Sequence, residues 1–496
     1  MTEVVVEPAP PARILDARTT GAGVTRGALA LLSVQPLTWS ASLAAAVFTP
    51  RFLSDAALGQ WGIAFSIASL VAIVASLGLQ NLLTRKVAVA PERAAVLAWG
   101  GIAIVTAGAL PVAGTLLLAL SFWGHDAIDV SLTALAIAAA LLSTAQTFGQ
   151  SVLIGLGRNA WFAISVAATQ ILVVGMGLGA LALGGDVHAY AVAALVAWAI
   201  ATAVLLAASG LRFTRAALSP ALLRELVVGG LPFFGWSAAL RVRGGVDVII
   251  TGVLLQASVA GWLVAAYRIL SVPVFIPTII TTPLLPALSR SRGHVEVYRR
   301  LLAESLATVI LLTVPMSAGI FALAPAIPSF LGWRESLDNA IPVMMVLSFQ
   351  QPLVAIDMVL GVSLIALGLE RPWFRVAVIG AIVNPTLNFL AIPLAQQLFG
   401  NGAIGAAAVE LTTECVFLAG ALYLTPRGLL SGDTLNRAAR TLVAGIALAA
   451  VARLTLGSGV IVAFVAGGMT FVAVALALGV LRPQQLRAMR LAIRPA

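Results

Sequence analysis

Charge is what this chain has least of: only 10% of its 496 residues are Asp, Glu, Lys or Arg. Soluble domains carry about a quarter, so the deficit excludes a water-soluble core. Cysteine is nearly absent too. Cys415 stands alone inside an apolar run and reads as a small buried side chain, so neither an intrachain disulfide nor a cysteine-built metal site is available. There are three histidines, and His125 beside Asp126 is an isolated pair, too little for a catalytic site. No phosphate-loop, dinucleotide-binding or zinc-ligand spacing occurs, and no cofactor or metal is implied. Lysine is confined to Lys86, so the 29 basic residues are almost all arginine.

What fills the chain is apolar sequence. It is 60% hydrophobic, with a mean hydropathy of +1.05. Runs of the roughly 20 residues needed to cross a bilayer recur from end to end. They fall near 28–48, 59–79, 95–120, 130–154, 160–183, 188–209 and 226–252, then 259–285, 301–322, 341–367, 374–394, 403–424, 438–457 and 460–481. The expected fold is an all-α integral membrane protein with about fourteen transmembrane helices. A small-residue stretch, Ala44-Ala45-Ala46, imitates a signal-cleavage site, but a long mixed-charge leader precedes it. The first run is therefore expected to remain as a helix.

The net charge of +10 would suggest nucleic acid in a soluble protein; here it reads as topology. With a cytoplasmic N-terminus, 23 of the 29 basic residues fall in the tails and alternate loops of one side. Only Arg51 and Arg334 fall on the other side, and Arg241, Arg243, Arg268 and Arg453 lie within spans. Both termini are expected in the cytoplasm, and no nucleic-acid partner is needed.

An internal echo sets the organisation. LIGLGRNAWF (153–162) and LIALGLERPWF (364–374) share Leu-Ile, Leu-Gly and Trp-Phe at matching positions. A fainter echo aligns Gly59, Phe65 and Ile67 with Gly261, Tyr267 and Ile269. Both offsets equal six helices, an even number, which makes the repeat parallel. The expected layout is a tail at 1–26, a six-helix lobe at 27–210, a second at 224–424, two extra helices at 437–481 and a tail at 482–496. Two parallel lobes around a cavity suit alternating access.

Three segments carry a family resemblance: RFLSDAALGQWGIAFSIASL with SLGLQNLLTRKVA (51–88), VAGWLVAAYRILSVPVFIPTIITTPLLPALSR (259–290), and ALGLERPWF through VNPTLNFLAIPLAQQLFGNGAIGAAAVELTTE (366–414). Together they resemble the polysaccharide flippases of the multidrug/oligosaccharidyl-lipid/polysaccharide exporter superfamily. The resemblance implies a flippase of the bacterial cytoplasmic membrane, carrying a polyprenyl-diphosphate-linked glycan with its tail in membrane lipid. Polymerase and glycosyltransferases of the same pathway are the implied partners. It also maps diphosphate-binding arginines onto Arg268, Arg51 and Arg85. The strongly basic second-helix motif of lipid II flippases is missing here, which points to another surface glycan.

Charges inside the membrane cost at least about 2.5–3.5 kcal/mol each and usually face a cavity. Arg268 has no carboxylate three or four residues away and is a candidate for the diphosphate, since guanidinium matches phosphate oxygens in a two-pronged way; a structural partner on another helix is the alternative. Arg243 and Asp247, four apart, share a helix face and read as a neutral pair or as site residues, with Arg241 free to face the cavity. Glu410 and Glu414, also four apart, form an acidic pair that would hold a proton between them. With Asp357 and Asp247 they are the ion-coupling candidates, a contact to an arginine being the alternative. Buried amides such as Gln146, Gln150, Gln170, Gln350, Gln351, Asn384 and Asn388 read as interhelical partners, some of them for sugar hydroxyls. Trp123 and Trp333 read as interfacial anchors. Two other functions fit less well: a drug/cation antiporter of the same superfamily, with twelve helices, and a polyprenyl-dependent glycosyltransferase, which needs a large outer loop.

Overall fold

The protein's structure, a computed structural model, describes residues 17–481 apart from positions 244, 272 and 431. The described residues form helices and turns only. The first half holds α1 (Ala17–Phe52), α2 (Asp55–Ser76), α3 (Leu79–Val89), α4 (Ala94–Trp123), α5 (Val130–Gly155), α6 (Asn159–Ala182) and α7 (Val187–Ala208). The second begins with α8 (Pro220–Arg243), α9 (Val246–Leu254), α10 (Ala257–Leu270), α11 (Phe275–Arg290) and α12 (Val295–Leu323). It continues through α13 (Ile327–Phe330), α14 (Ala340–Ser348), α15 (Gln350–Ala366), α16 (Glu370–Phe399) and α17 (Gly402–Leu424). Two more, α18 (Gly432–Thr455) and α19 (Val460–Ala477), complete it.

Eleven helical stretches among the described residues are long and apolar enough to cross a bilayer. The other three expected crossings fall on α1 and on two interrupted pairs, α8–α9 and α10–α11. Helix ends follow ordinary capping chemistry. Asp129, Asp186 and Ser54 accept from backbone N–H groups in the first turns of α5, α7 and α2. Gly124 and Gly400 close α4 and α16 in the left-handed conformation that glycine adopts without cost.

Two apolar clusters join the two halves of the chain, one where Leu58 and Ile63 of α2 meet Leu263 and Ala266 of α10 and Leu347 of α14, the other where Leu79 and Leu83 of α3 meet Leu222 and Leu226 of α8. The helices α18 and α19 pack on each other and on α12, at the flank.

Four expectations need correction. The run 226–252 is two helices, because the chain breaks after Arg243, where Gly245 lies in a turn. Arg243 and Asp247 therefore do not share one continuous helix face. The run 259–285 also breaks, around Pro273, which has no amide N–H to continue the ladder. Trp333 is buried rather than interfacial, its indole donating to the Val47 carbonyl at 2.9 Å. Cys415 is exposed on α17, not buried. Of the expected tails at 1–26 and 482–496, residues 1–16 and 482–496 lie outside the described residues, and 17–26 belong to α1.

Candidate functional site

Three helix interruptions meet at one cavity of about 710 Å³. Gly78 lines it at the α2–α3 break, Val248 at the start of α9, and Ser271 at the end of α10. Broken membrane helices free backbone polar groups and are tolerated where they border a cavity. The α2–α3 break carries local strain. Leu77 has φ +46°, and it is the one non-glycine residue with positive φ among the described residues. At the end of α10, the Leu270 carbonyl accepts from Gln351 Nε2 at 3.1 Å.

The opposite wall is neutral and rich in hydroxyls. Ser69 and Ser76 on α2 and Ser143, Thr144 and Thr147 on α5 all line the space. Each donates its proton to a carbonyl of its own helix at 2.8–3.0 Å. Their hydroxyl donors are thus spent, and the oxygens turned to the cavity are left as acceptors. Aromatic rings complete the wall. Trp61 and Tyr190 meet edge to face with centroids 5.0 Å apart, and Trp198 lines the same cavity. Gln170 lines the cavity while donating to Ser42 at 3.2 Å.

Arg268 is the one charged side chain lining this cavity among the described residues. Its Nη1 donates to the Ala45 carbonyl of α1 at 3.2 Å, and its buried Nε has no hydrogen-bond partner. The neighbouring Tyr267 donates its phenol proton to Asp247 Oδ2, whose other oxygen accepts from the Val248 N–H at 2.9 Å. Asp247 is fully buried. It is thus engaged by a tyrosine one residue from Arg268, a contact that chain spacing could not reveal because the α8–α9 break reorients it.

The remaining candidates lie elsewhere. Arg51 is at the end of α1, stacked 4.9 Å over Phe48 and donating to the Leu331 carbonyl. With Trp333 on Val47 and Arg334 on the Phe52 carbonyl at 3.2 Å, it clamps the tip of α1 to the loop after α13. Arg85 is exposed on α3 and is not among the cavity residues. The side chains of Arg241 and Arg243 lie outside the described residues. Asp357 is buried on α15. Glu410 and Glu414 are buried in an amide cluster of the second half. There Gln350 Nε2 donates to Glu410 at 2.9 Å and to Glu414 at 3.3 Å, and Asn384 donates to the other Glu410 oxygen at 2.9 Å.

Sequence reasoning missed the hydroxyl wall. The signal was present as a helical stripe, Ser66, Ser69 and Ser76 on α2. It is faint because serine and threonine are ordinary in membrane helices.

A second polar link ties the halves together near the arginine-rich loops. Glu225 at the start of α8 takes Lys86 of α3 on one oxygen and Arg93 at 3.5 Å on the other. The Lys86 ammonium, with Arg93 adding to it, holds the Glu225 carboxyl below its usual 4.5.

A bundle of broken apolar helices around a polar cavity describes a multi-pass membrane protein. The profile of the polysaccharide biosynthesis protein family matches residues 24–292, and the chain belongs to that family. It is 28% identical over 214 residues to Probable flippase AglR of Haloferax volcanii. That match spans 42% of this chain and 42% of the relative's length. Among solved structures, a lipid II flippase, MurJ, in an inward closed conformation superposes with a TM-score of 0.70 at 14% identity, covering 92% of this chain and 98% of that one. An inward-facing multidrug resistance MATE family transporter of the MOP superfamily superposes at 0.62, with 15% identity over 80% of this chain and 98% of that one. The fold is the one shared by these flippase and transporter structures.

Proposed function

We propose that the protein is a flippase that moves a polyprenyl-diphosphate-linked oligosaccharide from the cytoplasmic to the outer leaflet, for cell-surface polysaccharide synthesis. The observation that carries this reading is the pairing of one cavity arginine with a wall of acceptor oxygens and aromatic rings. Arg268 brings a guanidinium to the cavity lining, a group whose N–H donors suit diphosphate oxygens. Sugars bring hydroxyl donors for the Ser/Thr oxygens and apolar faces for Trp61, Tyr190 and Trp198. A neutral, hydroxyl-rich glycan suits this wall, because an acidic sugar would meet oxygens with no protons left to donate.

In this reading the chain works as two six-helix lobes, 27–210 and 224–424, rocking about the cavity, with both termini in the cytoplasm of a bacterial cell. The clamp on the tip of α1 serves as the outer gate and the Lys86–Glu225–Arg93 link as an inner one. Glu410, Glu414 and Asp357 are the proposed ion-coupling groups, with Asp247 acting through Tyr267 at the cavity. Cation antiport is less well supported, since no carboxylate lines the cavity among the described residues.

The test is translocation of a fluorescent undecaprenyl-diphosphate oligosaccharide by reconstituted protein. Transport by wild type and its loss in Arg268→Ala, with insertion intact, is the expected outcome. No transport of any lipid-linked glycan, together with proton-driven efflux of organic cations, would replace this reading with the antiporter.

A further inference from the structure

A groove of about 190 Å³ runs between α6 and α7, on the flank away from the central cavity. Its lining is mostly apolar and faces outward, with Trp161, Ile164 and Val204 all more than half exposed. Arg158 stands at its mouth, at the start of α6, and makes no side-chain hydrogen bond or ion pair among the described residues. The first turn of α6 has no side-chain cap, so its N–H groups add to the positive potential there. From Trp161 to Leu172 the groove follows α6 for about 17 Å at 1.5 Å per residue. That is about the depth of one leaflet of a hydrocarbon core roughly 30 Å thick.

The internal repeat explains why the space exists. In the second half of the chain, the tryptophan at the matching position is Trp373. It is buried, with its ring 5.7 Å from Phe417 and nearly perpendicular to it. It fits because position 361 is glycine; a Cβ there would stand 3.0 Å from the Trp373 indole nitrogen. The matching position in the first half is Gln150, whose side chain fills that space and donates to Ser165 at 3.3 Å. Trp161 is instead 59% exposed and lines the outward-facing groove.

We propose that this groove holds one acyl chain of an anionic phospholipid from the leaflet bordering the arginine-rich loops, with its phosphate on Arg158. Charge complementarity selects the occupant. One guanidinium lies at headgroup depth and an apolar slot one leaflet deep runs beneath it, which matches a phosphate with a chain attached. The site is separate from the Arg268 cavity, and the inference stands whatever that cavity carries.

The experiment uses the full chain in phosphatidylcholine nanodiscs doped with brominated-chain phosphatidylglycerol or brominated-chain phosphatidylcholine. Subtracting the signal of Trp161→Phe isolates quenching at Trp161. That quenching is expected to favour phosphatidylglycerol about fivefold, as one arginine near the headgroups contributes. The preference should vanish in Arg158→Ala, and in Ala201→Phe, which fills the slot while keeping the charge. Equal quenching by both lipids overturns the proposal, as does a preference that survives both variants. Displacement of the bromolipid by polyprenyl phosphate, but not by excess phosphatidylglycerol, would overturn it in favour of the carrier tail.

Discussion

Gly59 of α2 and Gly261 of α10 face each other reciprocally across the two halves of the chain. A Cβ on Gly59 would stand 1.7 Å from the Ala257 carbonyl oxygen, and one on Gly261 would stand 1.9 Å from that of Asp55. Each glycine thus presses on the backbone four residues before its opposite number, as a local twofold relation requires. Small residues let membrane helices approach this closely.

This crossing predicts that Gly261→Ala forces α2 and α10 apart. Overpacking of this kind costs about 1–3 kcal/mol. The midpoint of thermal unfolding in detergent should fall by several degrees and transport should weaken. An unchanged midpoint would mean that the crossing adapts and is not a fixed pivot.

Tyr267→Phe removes the phenol proton from buried Asp247 while keeping the ring at the cavity. Leaving a buried acceptor without its hydrogen bond costs about 1–3 kcal/mol. Lower thermal stability is expected, with a transport defect smaller than that of Arg268→Ala. If Tyr267→Phe matched Arg268→Ala in transport while remaining stable, the phenol would have a direct role at the substrate.

With the proposed topology, the clamp on α1 predicts a change in access from the outer side. Replacing both Trp333 by Phe and Arg334 by Ala removes two hydrogen bonds, to Val47 and Phe52. At about 1 kcal/mol each, their loss should raise the labelling rate of a cavity cysteine by roughly an order of magnitude. Ser69→Cys in a Cys415→Ser background provides that reporter. Labelling at the wild-type rate would show that closure on that side is held elsewhere.

At the end of the bundle opposite the arginine-rich loops, His188 lies 3.0 Å from Asp129 and 3.7 Å from Asp186. Burial pushes the Asp129 carboxyl up, but the Leu132 N–H, the Ser131 hydroxyl and His188 together hold it below 3.8. A carboxyl lowered by folding adds stability above its unfolded value, and that stability is lost as pH falls through the folded value. Asp129→Asn keeps the oxygen that caps α5 and removes the charge. It should be destabilising at neutral pH, and its difference from wild type should shrink as pH falls through 3.8 and below. A difference independent of pH would assign the effect to the cap geometry alone.

Much of this molecule is written locally. Apolar run length determines the helices, and the crossings expected at 95–120, 130–154, 160–183 and 188–209 correspond to α4, α5, α6 and α7. Membership of the polysaccharide family was legible as well, because its segments keep their spacing. Arg268 was readable as a cavity residue because a charge deep in an apolar run has few other places to go.

Tertiary structure decided what depends on where helices break and turn. Gly245 and Pro273 interrupt two spans, so Asp247 meets Tyr267 instead of sharing a continuous helix face with Arg243. Arg51 is drawn to the Leu331 carbonyl and Arg85 to an exposed face, leaving Arg268 with a neutral wall of hydroxyls. The same repeat position buries Trp373 and exposes Trp161 because glycine at 361 leaves room that Gln150 fills. Length and polarity act along the chain and can be read there. Which side chains share a cavity depends on contacts between residues hundreds apart, and those exist only once the helices have packed.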